Sequence, residues 1–142
     1  MSQFVGRWRA DTPSDQVPGY AAFMSVLDVP EHVRELIKGK VVTLELTLDG
    51  ENWISKSSIE GMLGRINEFK LGEDVQSERM DGKIQNFKSI IEGDTWIEEI
   101  TPVSNPEGST VVTTRIVNDN VMDVNVTIVG KDVSISFKML RQ

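Results

Sequence analysis

Few residues of this chain could carry out catalysis. It contains one His, His32, and no Cys, so a Ser–His–Asp triad would have to recruit His32, and no nucleophile-elbow motif accompanies it. The neighbouring carboxylates Glu98 and Glu99 fall in a predicted strand, where successive side chains point to opposite faces, so the two cannot act on one substrate. The pattern therefore argues against an enzyme, and His32 is interpreted as a solvated helix residue.

Cofactor, metal and nucleic-acid sites are equally unsupported. The sequence has no glycine-rich phosphate loop and no cluster of His residues, and the absence of Cys excludes Cys-based metal sites and a disulfide framework. The formal net charge of −7 argues against nucleic-acid binding, which needs clustered Lys and Arg. We expect no cofactor, no metal and no nucleic-acid partner.

Length and apolar patterning predict where the protein resides. At 142 residues the chain is expected to form a single domain over residues 1–142, large enough to bury a core. No apolar run approaches the roughly 20 residues that span a bilayer, and the first residues lack a signal-peptide h-region. With the absence of Cys, these features predict a soluble, cytoplasmic protein.

The segment 17–40 has a helical pattern. Apolar residues recur there at spacings of three and four, which places one apolar stripe on each of two short helices. The stripes consist of Val17, Tyr20, Ala21, Met24 and Leu27 on the first helix and of Val29, Val33, Leu36 and Ile37 on the second. Asp28 and Glu31 around Pro30 form a capping-box pattern for the second helix, and Gly39 ends it. Helices this short must pack their stripes on another structure.

The remainder of the chain reads as strands. Residues 42–48 alternate between apolar and polar, Asp49-Gly50 predicts a hairpin onto residues 53–59, and a first strand is predicted over residues 4–9, with Gly6 where backbones approach closely. Turn signals then recur about every ten residues to the end of the chain, which predicts about ten strands in an antiparallel meander. Closure into a barrel removes the exposed edges of such a meander. The fold class is therefore mainly β.

The last two strands indicate a hollow interior. Val124, Val126 and Ile128 alternate with polar residues, and Val133, Ile135, Phe137 and Met139 do the same, so each strand has one dry face. A barrel of ten strands is too wide to be filled by its own side chains, so its lining encloses a cavity. A cavity beneath a helical lid predicts a carrier of an apolar ligand.

Several short motifs resemble one known family. They are Phe4-Val-Gly-Arg-Trp8, Phe23-Met24 and Arg34 in the helix pair, Phe69-Lys-Leu-Gly-Glu73, Asp81-Gly82-Lys83 and Glu92-Gly93. Their order and spacing resemble those of the intracellular lipid-binding proteins, the fatty-acid-binding protein family. Gly6-x-Trp8 is also the lipocalin opening, but lipocalins carry their helix after the barrel and are often disulfide-bonded, so the intracellular family is preferred.

The resemblance implies a ten-stranded antiparallel up-and-down β-barrel, or clam, with a helix-turn-helix lid after the first strand. It further implies a cavity that holds one or two fatty acids or a related hydrophobic ligand, in a monomer whose lid allows transient membrane contact. The ligand-binding positions that it implies at the lid and portal are Tyr20, Phe23, Met24, Leu27, Val29 and Val33, with Ile59 on the facing hairpin. Those that it implies inside the cavity are Met80, Asp81, Arg115, Val124, Val126, Phe137 and Met139.

The chain departs from the family at the anchor for the ligand carboxylate. The family uses an Arg on a late strand and an Arg-x-Tyr pair on the last strand. Arg115 can take the first role, because a buried guanidinium needs an anionic partner that a bound carboxylate supplies. A register shift of one would instead put Thr114 inside and leave Arg115 on the surface, paired with Glu98 or Glu99. Phe137 and Met139 stand where the pair would be.

Two functions remain open from the sequence. The first is a non-enzymatic carrier of a fatty acid or related lipid. The second is a β-barrel that serves as a protein-interaction or regulatory module, with an unoccupied cavity or an atypical ligand, which the missing anchor pair permits. Recovery of a bound lipid with the protein distinguishes the two.

Overall fold

The computed structural model describes residues 2–27, 29–62, 64–78, 82–103 and 110–142. The two helices are α1 Tyr20–Val26 and α2 Glu31–Ile37. The ten strands are β1 Gly6–Ala10, β2 Val42–Asp49, β3 Asn52–Ile59, β4 Arg65–Phe69, β5 Val75–Glu78, β6 Ile84–Glu92, β7 Thr95–Pro102, β8 Val111–Asn118, β9 Val121–Ile128 and β10 Ser134–Arg141. No helix in the described part of the chain is long and apolar enough to cross a membrane.

The strands form one antiparallel sheet that curls into a nearly closed barrel. Their order is β4-β3-β2-β1-β10-β9-β8-β7-β6-β5. Strands consecutive in the sequence are therefore neighbours except β4 and β5, and the first strand pairs with the last. The two ends of this sheet are β4 and β5. The predicted ten-stranded antiparallel β-barrel with a helix pair after its first strand is confirmed.

The helix pair differs from the prediction in detail. Helix α2 begins at Glu31 with Pro30 at the N-cap position and without a side-chain capping hydrogen bond, so the predicted capping box does not start it; Asp28 lies outside the described residues. Gly39 follows the helix at φ +75°, a conformation that suits glycine. Leu36 belongs to the predicted stripe but is 53% exposed. The helix has only two turns, and Ile37 is its one fully buried residue.

The chain start is tied to its end. Ser2–Phe4 forms a 3₁₀ turn and the first strand begins at Gly6, two residues later than predicted. Gly6 has φ +144°, and a Cβ there would lie 2.6 Å from Nη1 of Arg141. Gly6 thus permits the close approach expected of it.

Two apolar clusters occupy opposite ends of the barrel. The first, named the closed-end core, contains Phe4, Trp8, Leu44, Leu46, Trp53, Phe69, Phe87, Trp96, Met122, Val124 and Met139. Its aromatic rings meet edge to face, with 4.7 Å between the centroids of Trp53 and Trp96. The second, named the lid core, contains Val17, Phe23, Ile128 and Ile135. Between the two clusters lies the middle layer of the strands, where Val126 and Phe137 pack against both.

Candidate ligand-binding cavity

The strand register identifies the inner face of the barrel. Directly opposed residues of an antiparallel pair project to the same face of a sheet. Trp8 is opposite Leu44, Trp96 is opposite Arg115, and Arg115 is opposite Val124. Because Trp8, Leu44, Trp96 and Val124 belong to the closed-end core, their face is the inner one. Arg115 therefore lies inside the barrel.

One half of the inner surface is apolar. The inward residues there are Val42, Leu44, Leu46 and Leu48 on β2, Met122, Val124, Val126 and Ile128 on β9, and Ile135, Phe137 and Met139 on β10. Val42, Val126 and Phe137 are only half-buried although they point inward. The side chains of the barrel thus leave part of this apolar wall accessible.

The other half of the inner surface is polar in its middle layer. Its side chains include Ser55, Asn67, Ser77, Gln85, Glu98 and Arg115. Gln85 Nε2 donates a hydrogen bond to Ser77 Oγ at 3.3 Å, which joins β6 to β5. An apolar wall that faces a polar wall suits a ligand with both characters.

Arg115 is paired within this polar half. Its Nη2 donates to Oε2 of Glu98 at 3.5 Å, and the side chains of Arg115 and Glu98 are 16% and 20% exposed. Glu98 lies two residues beyond Trp96 on β7, on the same face. The sequence left open whether Arg115 or Thr114 faces inward and whether an exposed Arg115 would pair with Glu98. The structure combines an inward Arg115 with that pairing.

Three polar atoms near this ion pair are buried and have no hydrogen-bond partner among the described residues. They are Nε of Arg115, Nε1 of Trp96 and Oγ of Ser89. Ser89 is directly opposite Glu98 on β6, and Trp96 is directly opposite Arg115. Buried polar groups without partners are uncommon, and each one calls for an explanation such as a bound water or ion. This layer of the barrel is therefore its chemically distinctive part.

The two ends of the helix-pair segment are hydrogen-bonded to each other. Oδ1 of Asp15, ahead of α1, accepts a hydrogen bond from the backbone N–H of Gly39, after α2, at 2.8 Å. Arg34 Nε donates to the carbonyl of Val29 at 3.0 Å, which fixes the link between the helices. Burial raises the pKa of the Tyr20 hydroxyl, Asp15 raises it further, and Arg34 lowers it. The two hydrogen bonds thus join parts of the helix-pair segment to each other.

Comparison with curated proteins gives one significant match. The chain is 29% identical over 106 residues to a fatty acid-binding protein of Tyrophagus putrescentiae, across 75% of this chain and 77% of that protein. No protein-family model matches.

Solved structures resemble the whole fold. A Schistosoma mansoni fatty acid binding protein in complex with arachidonic acid gives a TM-score of 0.84 at 22% identity, covering 100% of this chain and 98% of that chain. The chain has the fold of the intracellular lipid-binding proteins. The resemblance to this family is confirmed. Secretory abundant heat soluble protein 4 from Ramazzottius varieornatus has the same fold, with a TM-score of 0.85 at 16% identity over 100% of this chain and 96% of that chain.

Several positions that family resemblance implied for ligand binding meet at the lid. Phe23 is buried in the lid core, and the half-buried Met24, Leu27, Val126 and Phe137 pack against that core. Tyr20 is also buried. Val29 and Val33 are half-buried in or before α2, and Ile59 is half-buried at the end of β3. The structure therefore brings one group of these residues together between the lid and the apolar wall.

Other predicted positions lie elsewhere. Val124 is 4% exposed and Met139 is 2% exposed, both within the closed-end core. These two side chains pack against neighbours of the chain itself. Met80 and Asp81 lie outside the described residues. The role of each predicted position in ligand binding stays a prediction.

Glu98 is a charged inner residue that the sequence analysis considered only as a surface partner of Arg115. A signal for it existed, because Glu98 follows the buried Trp96 at the two-residue spacing of one strand face. Among the described residues, no group of three or more His, Cys, Asp or Glu side chains is positioned to hold a metal ion.

Proposed function

We propose that this protein is a non-enzymatic carrier that binds a fatty acid or a related hydrophobic ligand inside the barrel. The observation that carries the proposal is the accessible apolar wall beneath the lid, where Val126 and Phe137 point inward and are only half-buried. Apolar side chains left accessible inside a barrel gain free energy when a ligand covers them.

The magnitude of this burial is sufficient for binding. Each buried methylene contributes about 0.8 kcal/mol, so about ten methylenes of an acyl chain contribute on the order of 8 kcal/mol. The loss of translational and rotational freedom offsets part of this. The chain of the ligand would lie along β2, β9 and β10, and its polar end would face the polar half of the barrel.

The lid is the proposed access route. Helix α1 buries Tyr20 and Phe23, whereas α2 buries only Ile37 fully, so α2 has less packing to lose when it opens. Tyr20, Val29, Val33 and Ile59 are proposed portal contacts. A transient membrane contact through the helices, a monomeric state and a cytoplasmic location complete the proposal.

Two comparisons support the carrier function. The curated relative carries the name fatty acid-binding protein, and the Schistosoma mansoni protein of the same fold is in complex with arachidonic acid. The inner surface of the present chain, apolar on one side and polar on the other, suits an amphipathic lipid.

Binding is tested first on protein purified without delipidation. Native mass spectrometry should show a recurring bound mass, which denaturing conditions release. Delipidated protein should then bind a fluorescent apolar probe that lipids displace. If no lipid in a broad panel displaces the probe, while circular dichroism shows the folded barrel, the carrier proposal is wrong.

A protein-interaction or regulatory module is the second candidate. One observation favours it: Arg115 already has an anionic partner, Glu98, and Phe137 and Met139 replace the last-strand pair of the family. A stable barrel that never retains a lipid, together with a protein that copurifies in a fixed ratio, would favour this alternative.

A further inference from the structure

We propose that Glu98 is a specificity residue that directs the cavity toward lipids with a hydroxyl or amide head group and away from carboxylates. The inference rests on the proposed carrier function and narrows its ligand class. Its basis is the ion pair between Glu98 and Arg115 on the inner face.

The pair follows from the register of β7 and β8. Glu98 is directly opposite Thr113, and Arg115 is directly opposite Trp96, so Glu98 and Arg115 are diagonal neighbours on one face. Diagonal neighbours are about 7–8 Å apart at the backbone, a distance that long side chains bridge. The pair is therefore built into the sheet and does not depend on a mobile loop.

Glu98 takes the place that a ligand carboxylate would occupy. The guanidinium of Arg115 is compensated by a side chain of the protein itself, at 3.5 Å between Nη2 and Oε2. A second carboxylate beside Arg115 would lie close to that of Glu98, and like charges a few ångströms apart repel strongly where water is limited. A fatty-acid anion would thus have to displace Glu98 or bind away from Arg115.

The hydrogen-bonding capacity of the pair selects a different head group. The guanidinium has five N–H donors and no acceptor, whereas a carboxylate only accepts. Glu98 engages one described donor, and Nε of Arg115 has no partner. A group that both donates and accepts, such as a hydroxyl or primary amide, can bond to both side chains. A methyl ester only accepts, so it can use Arg115 alone.

The other Arg residues on the inner face of the described strands have their own contacts. Arg141 donates to the carbonyls of Gln3, Val5 and Asp119 at the closed end. Arg65, on β4 opposite Ser57, also takes part in an interaction. Neither is a ready substitute for Arg115 as a carboxylate anchor.

The test compares four ligands with the same sixteen-carbon chain, namely hexadecanol, hexadecanamide, methyl hexadecanoate and hexadecanoic acid. Affinities are measured near neutral pH by displacement of one fluorescent probe from delipidated wild-type protein. We expect the alcohol and the amide to bind about tenfold tighter than the acid, with the ester between them, because a hydrogen bond to a charged group contributes about 1.5–3 kcal/mol.

The variant Glu98→Gln removes the competing charge and keeps the shape of the side chain. It should improve binding of the acid by about tenfold or more while the affinity for the alcohol changes by less than about threefold. Glu99→Gln, on the opposite face of the same strand, is the matched control and should leave all four affinities unchanged. The double variant Glu98→Gln with Arg115→Gln should lose the gain for the acid.

The outcomes separate this inference from the function on which it rests. If none of the four ligands displaces the probe from folded wild-type protein, the carrier function and the inference both fail. If wild-type protein binds the acid as tightly as the alcohol, or if folded Glu98→Gln shows an unchanged ratio of acid to alcohol affinity, the carrier stands and the role of Glu98 is wrong. The wild-type comparison needs no variant, so it tests the preference for the alcohol over the acid even if Glu98→Gln does not fold.

Discussion

The guanidinium of Arg141 lies over the indole of Trp8, with Cζ 4.3 Å from the ring centroid. The same side chain donates from Nη1 to the carbonyl of Val5 at 2.8 Å and from Nη2 to that of Gln3 at 3.0 Å. The penultimate residue of the chain therefore fixes its first turn. This contact completes the closure that begins with the pairing of β1 and β10.

Replacing Arg141 tests that closure. Arg141→Met should lower the free energy of unfolding by about 2–4 kcal/mol, because it removes charge-assisted hydrogen bonds and a cation–π contact. Urea denaturation followed by Trp fluorescence measures this change. Lys138→Met on the same strand, which removes an exposed bridge to Asp123, is the control and should change stability little. An equal loss in both variants would contradict the role given to Arg141.

The pairing of Glu98 with Arg115 predicts a non-additive mutant cycle. Arg115→Met should cost about 2–3 kcal/mol, since it leaves the carboxylate of Glu98 largely buried without its partner. The double variant Arg115→Met with Glu98→Met should regain stability to within about 1 kcal/mol of wild type, because well-packed apolar groups can replace an ion pair. Thermal and urea unfolding measure the cycle. Additive losses would show that the two charges do not interact.

Met139 and Phe137 point inward from one strand but at different depths. Met139→Ala should cost about 2–5 kcal/mol, because this side chain is 2% exposed in the closed-end core and its removal leaves a cavity. Phe137→Ala should cost less stability and should change lipid affinity more. Paired measurements of urea unfolding and probe displacement distinguish the two positions. The reverse ranking would mean that Met139 faces the ligand.

The difference between these two residues shows what the sequence can and cannot predict. Alternation in the last strands grouped Val126, Phe137 and Met139 on dry faces, since side chains alternate strictly along a strand, and the register turns these faces inward. Alternation does not report height along the barrel axis. The position of Met139 in a core and of Phe137 beside the lid depends on the register of ten strands, which is a property of the closed sheet.

The pairing of Glu98 is a second case of this limit. The sequence allowed Arg115 to face inward and allowed it to pair with Glu98, but it treated these as alternatives, because a pair between charged side chains is commonest on a surface. The register places Trp96 opposite Arg115, so Arg115 faces inward and also pairs with Glu98. The order of the elements was predictable because turns and periodicity are local, whereas this contact joins two strands.

Tyr20 offers a test of stability against pH. Its Oη is buried and has no hydrogen-bond partner in the part of the chain that the structure describes. Tyr20→Phe should therefore leave stability near neutral pH unchanged or raise it by up to about 1 kcal/mol. Burial raises the pKa of Tyr20 above its ordinary value of 10.0, so the unfolded chain releases the proton first. The contribution of Tyr20 is therefore fully present below pH 10.0 and is lost as pH rises through the folded pKa.

The measurement is direct because the chain contains one Tyr. Absorbance of the phenolate reports Tyr20 alone in the folded and urea-unfolded protein. Urea unfolding at increasing alkaline pH should show a steeper loss of stability for wild type than for Tyr20→Phe. Identical slopes would show that the Tyr20 hydroxyl is solvated in the folded protein.

The lid should open before the barrel does. Amide hydrogen exchange should be faster over residues 20–37 than over residues 42–48, because α2 fully buries a single side chain, and bound lipid should slow it. Asp15→Ala removes the bond to Gly39 and should accelerate exchange in the helices and association of the probe. Asp11→Ala, which removes an exposed hydrogen bond from Thr12 and a negative charge near Lys138 but no contact with the helices, is the control. Equal protection of helices and strands would argue against a helical gate.

The two edges of the sheet, β4 and β5, give the barrel an adjustable circumference. In the described residues every other neighbouring pair of strands is joined by a backbone ladder, and stretching such a joint would break hydrogen bonds. Moving β4 away from β5 breaks no ladder. The barrel is therefore stiff where its strands are paired and compliant between β4 and β5. A bulkier ligand would be accommodated by widening this gap, with the strain confined to it.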